Sequence, residues 1–552
     1  MRNLAAAMAG VALCAWLLAQ QAVRPRPLSD LAPAGALLYV EANNAGALLG
    51  EWNASARKSE WLKSAHYQTF LRSRLFLRLD QVYQEYAAAT GVPPDVNLLH
   101  SVAGGESALA VYDPNKLEFL YITRLASARA MQSLLWAARE RFSRRQAAGA
   151  PYYVKTAAAA GRTASFAVAG DLMLVATKED ALAGALTLLA NGGATPVGRE
   201  AWFQDAVAAA GPRGDVRMVA NLARLAATPA FRSYWIQRNG AELREFRAMV
   251  SDLFRGGEVR EERVLLRAEA GVSRDASAIG ALLAMTPANA GLYRAWAEPG
   301  AGQVEALIRQ KILNPGPGGL ASSTIAPGVS LEAPEAGSTA DLETRLDEAI
   351  AQPDGAVYRA EPLRQLLASA PLRAALLVQS GKTLGGGVFA GNDAAVAIEG
   401  QGAWNQEAVR LAVQQALEGL YTTGNLGLVW RERNGVWETG GLARVAMGVR
   451  GSTLILGTQS ELVRAMREQN GVAPAPATYA AAVRLRDELP HYERMMRLID
   501  APGRAPNNNE PSFFSESMAS LVRTLLRAET ASVRELDSGS MVKQTVRYQL
   551  TP

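Results

Sequence analysis

The sequence predicts an α+β fold, in which two tandem related modules follow one N-terminal membrane or signal helix. Each module is predicted to be a largely antiparallel sheet with helices packed on one face. Three observations predict this: an uncharged apolar run at residues 3–23, similar segments in the two halves, and hairpins and helices without regular β-α alternation. We divide the chain into a leader with a short linker (1–29), a first module (30–283) and a second module (284–552).

The leader is long enough to cross a bilayer, because about twenty residues rising 1.5 Å each span a hydrocarbon core of roughly 30 Å. Signal-peptide cleavage needs small residues at the −3 and −1 positions of the cleavage site. Cleavage after Ala19 would place Leu17 at −3, and cleavage after Ala22 would place Gln20 there. Acylation at Cys14 needs a small residue where Leu13 stands. We therefore expect an uncleaved signal-anchor, with secretion after signal cleavage as the alternative.

No cysteine follows Cys14, so the body of the protein carries no thiol. Such a body is compatible with an oxidising compartment, and long domains are translocated largely regardless of flanking charge. We expect an inner-membrane anchored protein with its body in the periplasm or outside the cell.

Composition argues against a nucleic-acid-binding protein. The 552 residues are 49% hydrophobic and 20% charged, as in an ordinary globular chain, and the net charge is only +5. The densest basic patch, Arg139, Arg141, Arg144 and Arg145, includes Glu140 and is predicted to be the solvated face of a helix.

Two pairs of segments indicate an internal repeat. Residues 33–39 (PAGALLY) match 287–293 (PANAGLY), and residues 170–177 (GDLMLVAT) resemble 451–458 (GSTLILGT). The second pair lies 27 residues further apart than the first, so the second module should contain an insertion. Its Pro-, Gly- and Ala-rich stretch 314–339 is predicted to be that insertion and to form a flexible loop.

Hydrophobic periodicity and turn residues predict the elements of both modules. The first module is predicted to have helices at 61–89, 131–142 and from 178, and strands at 108–112, 117–125, 152–155, 164–168 and 172–177. The second is predicted to have helices at 405–420 and from 460, and strands at 426–431, 436–438, 443–449 and 453–457. Both modules are predicted to end with an amphipathic helix and a strand, at 241–254 and 264–268 in the first and at 513–526 and 541–550 in the second.

Asn434-Gly435 is the strongest hairpin signal in the chain, because both residues tolerate the positive φ that a type I′ turn requires. Trp430 and Trp437 flank this turn. Their spacing predicts that they point to opposite faces or that one packs into the core, and a ligand-stacking role is the alternative.

The P-A-x-A-x-L-Y strand, the helix with Trp61 and the Gly-turn strand pair that leads into a helix resemble a family of uncharacterised bacterial envelope proteins. Members carry an N-terminal apolar segment and a domain of unknown function. The resemblance covers most of the chain after Asp30 and implies no activity and no functional residue.

Familiar catalytic and ligand-binding patterns are incomplete. His66, His100 and His491 lack metal-spaced partners. Gly381-Lys382-Thr383 resembles the end of a phosphate-binding loop, but Leu376 stands where its first glycine is needed.

Ser55-Ala56-Arg57-Lys58 fits the S-x-x-K pattern of penicillin-interacting enzymes, but the K-T-G partner motif is missing, which favours a helix start. The acidic pairs Glu261 with Glu262, and Glu535 with Asp537, are interpreted as surface charge. We therefore predict no catalytic, cofactor-binding or metal-ligating residue and no cofactor.

The sequence favours a non-enzymatic, membrane-anchored envelope protein that acts as a binding or interaction scaffold. Its predicted partners are the membrane, through the leader, and an envelope protein or an apolar ligand. An envelope carrier of a lipid or other apolar ligand, and an envelope hydrolase with an unrecognised site, are the alternatives. A carrier predicts an enclosed apolar cavity, a hydrolase predicts converging polar groups with perturbed pKa values, and a scaffold predicts an exposed apolar patch.

Overall fold

The computed structural model describes residues 25–72, 74–157, 162–229, 244–313, 359–369, 371–384, 389–421, 429–439, 445–472, 474–488, 491 and 528–550. The chain divides into two compact units: unit 1 is Met1–Ala47 with Gln84–Asp205, and unit 2 is Leu48–Tyr83 with Ala206–Pro552. Both units combine helices with antiparallel strands, which confirms the mixed helix-and-strand class.

The described strands are β1 Leu38–Ala42, β2 Ser107–Asp113, β3 Glu118–Arg124, β4 Ser143–Ala147, β5 Ala150–Ala157, β6 Arg162–Ala169, β7 Leu172–Ala176, β8 Val216–Ala220, β9 Phe246–Arg255, β10 Glu258–Arg267, β11 Leu292–Ala297, β12 Leu372–Leu384, β13 Phe389–Gly400, β14 Trp430–Arg433, β15 Val436–Thr439, β16 Ala446–Arg450, β17 Thr453–Gly457, β18 Tyr479–Arg484, β19 Ala528–Asp537 and β20 Met541–Leu550.

The described α-helices are Ala45–Ala54, Ala56–Lys63, Ala65–Leu71, Arg74–Thr90, Val96–Val102, Ser127–Ala130, Leu134–Ala137, Glu179–Leu189, Ala201–Ala209, Leu222–Leu225, Gly280–Ala284, Ala301–Ile308, Ala360–Ala368, Gln406–Tyr421 and Ser460–Glu468. A π-helical turn, Arg309–Leu313, continues the helix Ala301–Ile308.

The strands of each unit form a continuous antiparallel array. In unit 1 the order is β1-β2-β3-β7-β6-β5-β4. In unit 2 the order is β8-β9-β10-β20-β19-β18-β11-β12-β13-β17-β16-β15-β14. Inside unit 2, β10 and β20 pair along nearly their whole length, from Glu258 opposite Gln549 to Leu266 opposite Met541.

Helices cover both faces of the unit 2 sheet, which corrects the prediction that they pack on one face. On one face, Leu377 and Val396 pack with residues of the helices Ala301–Ile308, Ala360–Ala368 and Gln406–Tyr421. On the other face, the alternate residues Leu376 and Ala395 pack with the helices Gly280–Ala284 and Ser460–Glu468. Successive side chains of a strand point to opposite faces, so the central strands contribute to two cores.

This double coverage explains the continuous burial of strand β17 in unit 2, and β7 of unit 1 has the same burial pattern. All five residues of β7 are buried, and so are all five of β17. A strand that is buried on both faces is apolar throughout, without alternation.

The predicted Asn434-Gly435 hairpin is confirmed. Asn434 has φ 53° and Gly435 has φ 72°, as a type I′ turn requires, and β14 pairs with β15 across it. The predicted helices that begin near 178, 405 and 460 are also confirmed, with small differences at their ends.

Three predicted helices are wrong in extent or type. The long helix predicted at 61–89 is interrupted at Ser64 and again after Leu71. The helix predicted at 131–142 is one short helix, Leu134–Ala137, followed by a 3-10 turn at Arg139–Arg141. The amphipathic helix predicted at 241–254 is strand β9 from Phe246 onward, because hydrogen bonding to β8 and β10 on both sides outweighs its helical periodicity.

The leader, the insertion 314–339 and the predicted helix 513–526 lie outside the described residues. Within the part of the chain that is described, no helix combines the length and the apolar character needed to span a bilayer. The module boundaries at 29/30 and 283/284 stay predictions.

Candidate functional site

A groove in unit 2 is the candidate functional site. Its floor is formed by side chains that lie on the same face of the sheet. Arg294 and Trp296 lie two residues apart on β11 and therefore share one face of the sheet. Trp296 pairs with Tyr479 of β18, and Arg294 pairs with Leu377 of β12. These four side chains, from three adjacent strands, line the groove.

The helix Ala301–Ile308 supplies the wall of the groove through Gln303 and Leu307, and Arg274 and Glu298 complete the lining. The groove has a volume of about 400 Å³. The Gln303 side chain also accepts a hydrogen bond from the Gly300 N–H at 3.3 Å, which caps the first turn of the helix.

A buried carboxylate holds this wall in place. Glu305 is fully buried, and its oxygens lie 3.6 Å from Arg309 and 3.3 Å from Arg364. Arg364 belongs to the helix Ala360–Ala368, so the ion pairs join two helices of the same face. A wall that is fixed in this way preserves the shape of the groove.

The lining of the groove has a net positive charge, because it contains two arginines and one glutamate. Within the described chain, neither Arg274 nor Arg294 forms an ion pair. Burial lowers the pKa of nearby Lys311, and the positive charge of Arg294 lowers it further. Glu298 is the only carboxylate among the lining residues.

The lining favours an amphiphilic anion as the ligand. Trp296, Leu307, Leu377 and the Tyr479 ring offer apolar contact, and the guanidinium groups of the groove offer charge-assisted hydrogen bonds to a carboxylate or phosphate. No serine, cysteine or histidine lines the groove, so its described residues provide no nucleophile–base pair.

The three histidines are not brought together among the described side chains. His100 is exposed at the end of the helix Val96–Val102, and its carbonyl oxygen accepts a bond from Arg129 at 3.4 Å. His491 is partly buried, and its Nδ1 has no hydrogen-bond partner. The side chain of His66 lies outside the described residues. No set of three potential metal ligands occurs in the described part.

The two short motifs have structural explanations. Gly381 lies within the continuous strand β12 and donates its N–H to Glu488 at 3.0 and 3.1 Å, so this segment is no phosphate-binding loop. Ser55 is a helix N-cap: its hydroxyl accepts the Lys58 N–H at 3.2 Å, while the Lys58 ammonium binds Asn53 at 2.6 Å.

Trp430 and Trp437 lie on the same face of their hairpin, because Trp430 pairs with Thr439 and Trp437 with Glu432. Both indoles pack against the same core, so the expectation of opposite faces is wrong, while the alternative that one packs into the core holds for both. The guanidinium of Arg410 lies 5.6 Å from the centre of the Trp437 ring.

The basic patch lies on a 3-10 turn and strand β4, where a helix was predicted. Arg139 lies over the Trp136 ring at 5.2 Å, and Arg145 binds Glu179 at 2.7 Å. These contacts account for part of the patch.

The acidic pairs also form local contacts. Burial of Glu261 would raise its pKa, but hydrogen bonds from Ser251 and Arg263 outweigh burial and lower it. Asp537 binds Arg267 at 2.7 Å, and Glu535 accepts a bond from Gln544 at 2.8 Å.

Sequence reasoning missed a buried carboxylate, Glu488, which is 6% exposed. Burial raises its pKa, although the Gly381 N–H and the charge of His491 act in the opposite direction. A side chain added at Gly291 or Gly381 would overlap this carboxylate, so two glycines make room for it. Nothing in the local sequence around Glu488 indicates this packing, because the glycines lie on β12 and just before β11.

Comparison with known proteins gives little. No protein-family model and no curated protein matches the chain. Among solved structures, crystal forms I and III of TP0453 match with 12% sequence identity and TM-scores of 0.25 and 0.24. Each match covers 45% of this chain and 82% of the other. A likeness of this size carries no functional meaning.

Proposed function

We propose that the protein is a membrane-anchored extracytoplasmic binding protein without catalytic activity, and that the groove of unit 2 is its ligand site. The observation that carries the proposal is the combination of Trp296 and Tyr479 with two arginines that have no ion-pair partner in the described chain. This lining supports an amphiphilic anion as the ligand, and hence the binding function over hydrolysis. The open form of the groove distinguishes it from the enclosed cavity of a carrier.

The proposal includes duplicated modules, and strand order supports it. Each strand of unit 1 has a counterpart ten strands later: the order from β1 to β4 in unit 1 recurs from β11 to β14 in unit 2. The similar segments fall on matching strands, with P-A-x-A-x-L-Y leading into β1 and β11. The turns before β7 and β17 are also alike, since Gly170 has φ 60° and Gly451 has φ 61°.

The proposal also includes the signal-anchor at 3–23 and a body outside the cytoplasm, supported by the apolar leader and the absence of cysteine after Cys14. The resemblance to bacterial envelope proteins agrees with this location and stays a prediction.

The groove is tested by photocrosslinking of the full chain in nanodiscs with a diazirine derivative of palmitate. We expect crosslinks to peptides of β11 and β18, and we expect Arg294→Gln to reduce them about tenfold or more, because a hydrogen bond to a charged group contributes about 1.5–3 kcal/mol. Probe molecules dissolved in the bilayer should also label the leader, and this labelling is the internal control. The corresponding fatty alcohol should label wild type and variant alike.

Arg433→Gln, at an arginine 72% exposed on β14, is the matched control and should not change the labelling. Equal labelling of β11 in wild type and Arg294→Gln would refute the groove as an anion site.

Topology is tested by fusing alkaline phosphatase to the C-terminus. We expect phosphatase activity in intact cells, because the enzyme requires an oxidising compartment to form its disulfides. A cytoplasmic reporter fused at the same position should be inactive, and the opposite result would refute the proposed location.

A further inference from the structure

The segment Leu48–Tyr83, referred to here as the helical segment, differs from the sheet regions of unit 2. Apart from short connections, its described residues belong to four helices, Ala45–Ala54, Ala56–Lys63, Ala65–Leu71 and Arg74–Thr90. The helices Ala45–Ala54 and Ala56–Lys63 contain no buried residue. Such helices gain little from packing against the body of the protein, so their exposed surface needs an explanation.

Large apolar side chains of the helical segment face solvent. Trp52 is 47% exposed, Leu62 41%, Leu77 59% and Leu79 42%. These four lie within 28 consecutive positions of a 552-residue chain. Single exposed apolar residues are ordinary, but a concentration of them on one segment indicates an interaction surface.

Aromatic rings stiffen the helical segment from within. Trp61 and Tyr67 have ring centres 6.1 Å apart, Tyr67 and Phe70 6.4 Å, and Phe70 and Phe76 5.6 Å. These contacts connect three of the helices to one another. The exposed leucines therefore lie on helices that aromatic contacts hold together.

The charge of the helical segment is positive. It contains six Lys or Arg residues and three Asp or Glu residues, whereas the entire chain has a net charge of only +5. Lys58 precedes Leu62 by four residues and therefore shares its helix face, and Lys63 follows directly.

This combination favours a lipid surface over a protein partner. The cores of protein interfaces are depleted in lysine, whereas helices that lie in a membrane interface place Trp and Leu among lysines and arginines. Long basic side chains extend to the headgroups while their methylenes remain in apolar contact. Basic residues near a bilayer gain about 1 kcal/mol each from anionic lipids.

The helical segment is attached to the sheet of unit 2. The guanidinium of Arg255, at the end of β9, lies 2.6 Å from the carboxylate of Glu51. A contact between the helical segment and a membrane therefore also restricts the position of the unit 2 sheet relative to that membrane.

We propose that the helical segment lies in the interface of a bilayer that contains anionic lipids, with Trp52, Leu62 and Leu77 in contact with acyl chains. The segment is a second membrane contact, distinct from the leader, and the inference does not depend on the groove.

The test uses the only cysteine of the chain. After Cys14→Ser, single variants Leu62→Cys and Leu77→Cys are labelled with an environment-sensitive fluorophore in the full chain, reconstituted in phosphatidylcholine vesicles with or without phosphatidylglycerol. We expect a blue shift and several-fold stronger quenching by lipid-borne nitroxides than for the matched control Leu411→Cys, which is 51% exposed on the helix Gln406–Tyr421.

We expect the quenching to be stronger with phosphatidylglycerol and to weaken with added salt, because ions screen the basic side chains. Equal quenching of the Leu77 and Leu411 labels would overturn the proposal. Equal quenching with and without phosphatidylglycerol would overturn the role given to the basic residues.

Discussion

Asp252→Ala is expected to destabilise unit 2 by about 3–5 kcal/mol, because it leaves the buried charge of Arg217 without a counter-ion and with only the Gly211 carbonyl oxygen as an acceptor. Asp252 on β9 is directly opposite Arg217 on β8, and two bonds of 2.8 Å join the guanidinium to its two oxygens. The side chains are 3% and 11% exposed. The same carboxylate accepts the Gly214 N–H at 2.9 Å. The measurement is the urea-induced unfolding transition, followed by circular dichroism.

Two further variants separate charge burial from simple loss of contacts. Replacing both partners, as Arg217→Met with Asp252→Leu, should recover most of the loss, since apolar residues of similar volume replace buried ion pairs at little cost. Glu529→Ala removes an exposed ion pair with Arg486, in which the side chains are 40% and 73% exposed, and should hardly change the transition. If the double variant is as unstable as Asp252→Ala, the buried-charge explanation is incorrect.

Gly291→Ala is expected to lower the free energy of unfolding by about 1–3 kcal/mol, because the added methyl group overpacks its site. This is the second-largest loss of stability that we predict. The new methyl group would overlap the Glu488 carboxylate, which is 6% exposed and accepts the Gly381 N–H. Gly402→Ala is the matched control, because a methyl group at Gly402 meets no atom within 4 Å.

A double-mutant cycle tests the steric cause directly. In a Glu488→Ala background the obstructing atoms are gone, so Gly291→Ala should cost almost nothing there, although Glu488→Ala itself leaves the Gly381 N–H without an acceptor. The same cost for Gly291→Ala in both backgrounds would show that the carboxylate is not the obstacle.

Local chemistry made part of the fold predictable. Asn434-Gly435 specified a turn because few residue pairs adopt two consecutive positive φ angles, and β17 was predicted at the residues where it occurs, 453–457, from a continuous apolar run. β9 was mistaken for a helix, since Phe246, Met249, Val250 and Leu253 have helical spacing. Its identity depends on hydrogen bonds to β8 and β10, which no local pattern records.

The groove was less accessible to prediction than the fold. The alternation of Arg294 and Trp296 on β11 is visible in the sequence, but the contributions of Tyr479 and Leu377 follow only from the neighbours of β11 in the sheet. Which distant strands pair with β11 is decided by the topology of the sheet and is not visible in the local sequence. The buried position of Glu488 was missed for the same reason, because Gly291 and Gly381 approach it from elsewhere in the sequence.

The pairing of β10 with β20 also imposes an order on biogenesis. During synthesis the ribosome releases β10 long before β20, so one edge of β10 has unpaired N–H and C=O groups until the distant strand arrives. This high contact order delays closure of the unit 2 sheet. A chain that cannot complete its sheet early stays unfolded for longer, which suits the proposed export, because a translocation channel threads unfolded chains.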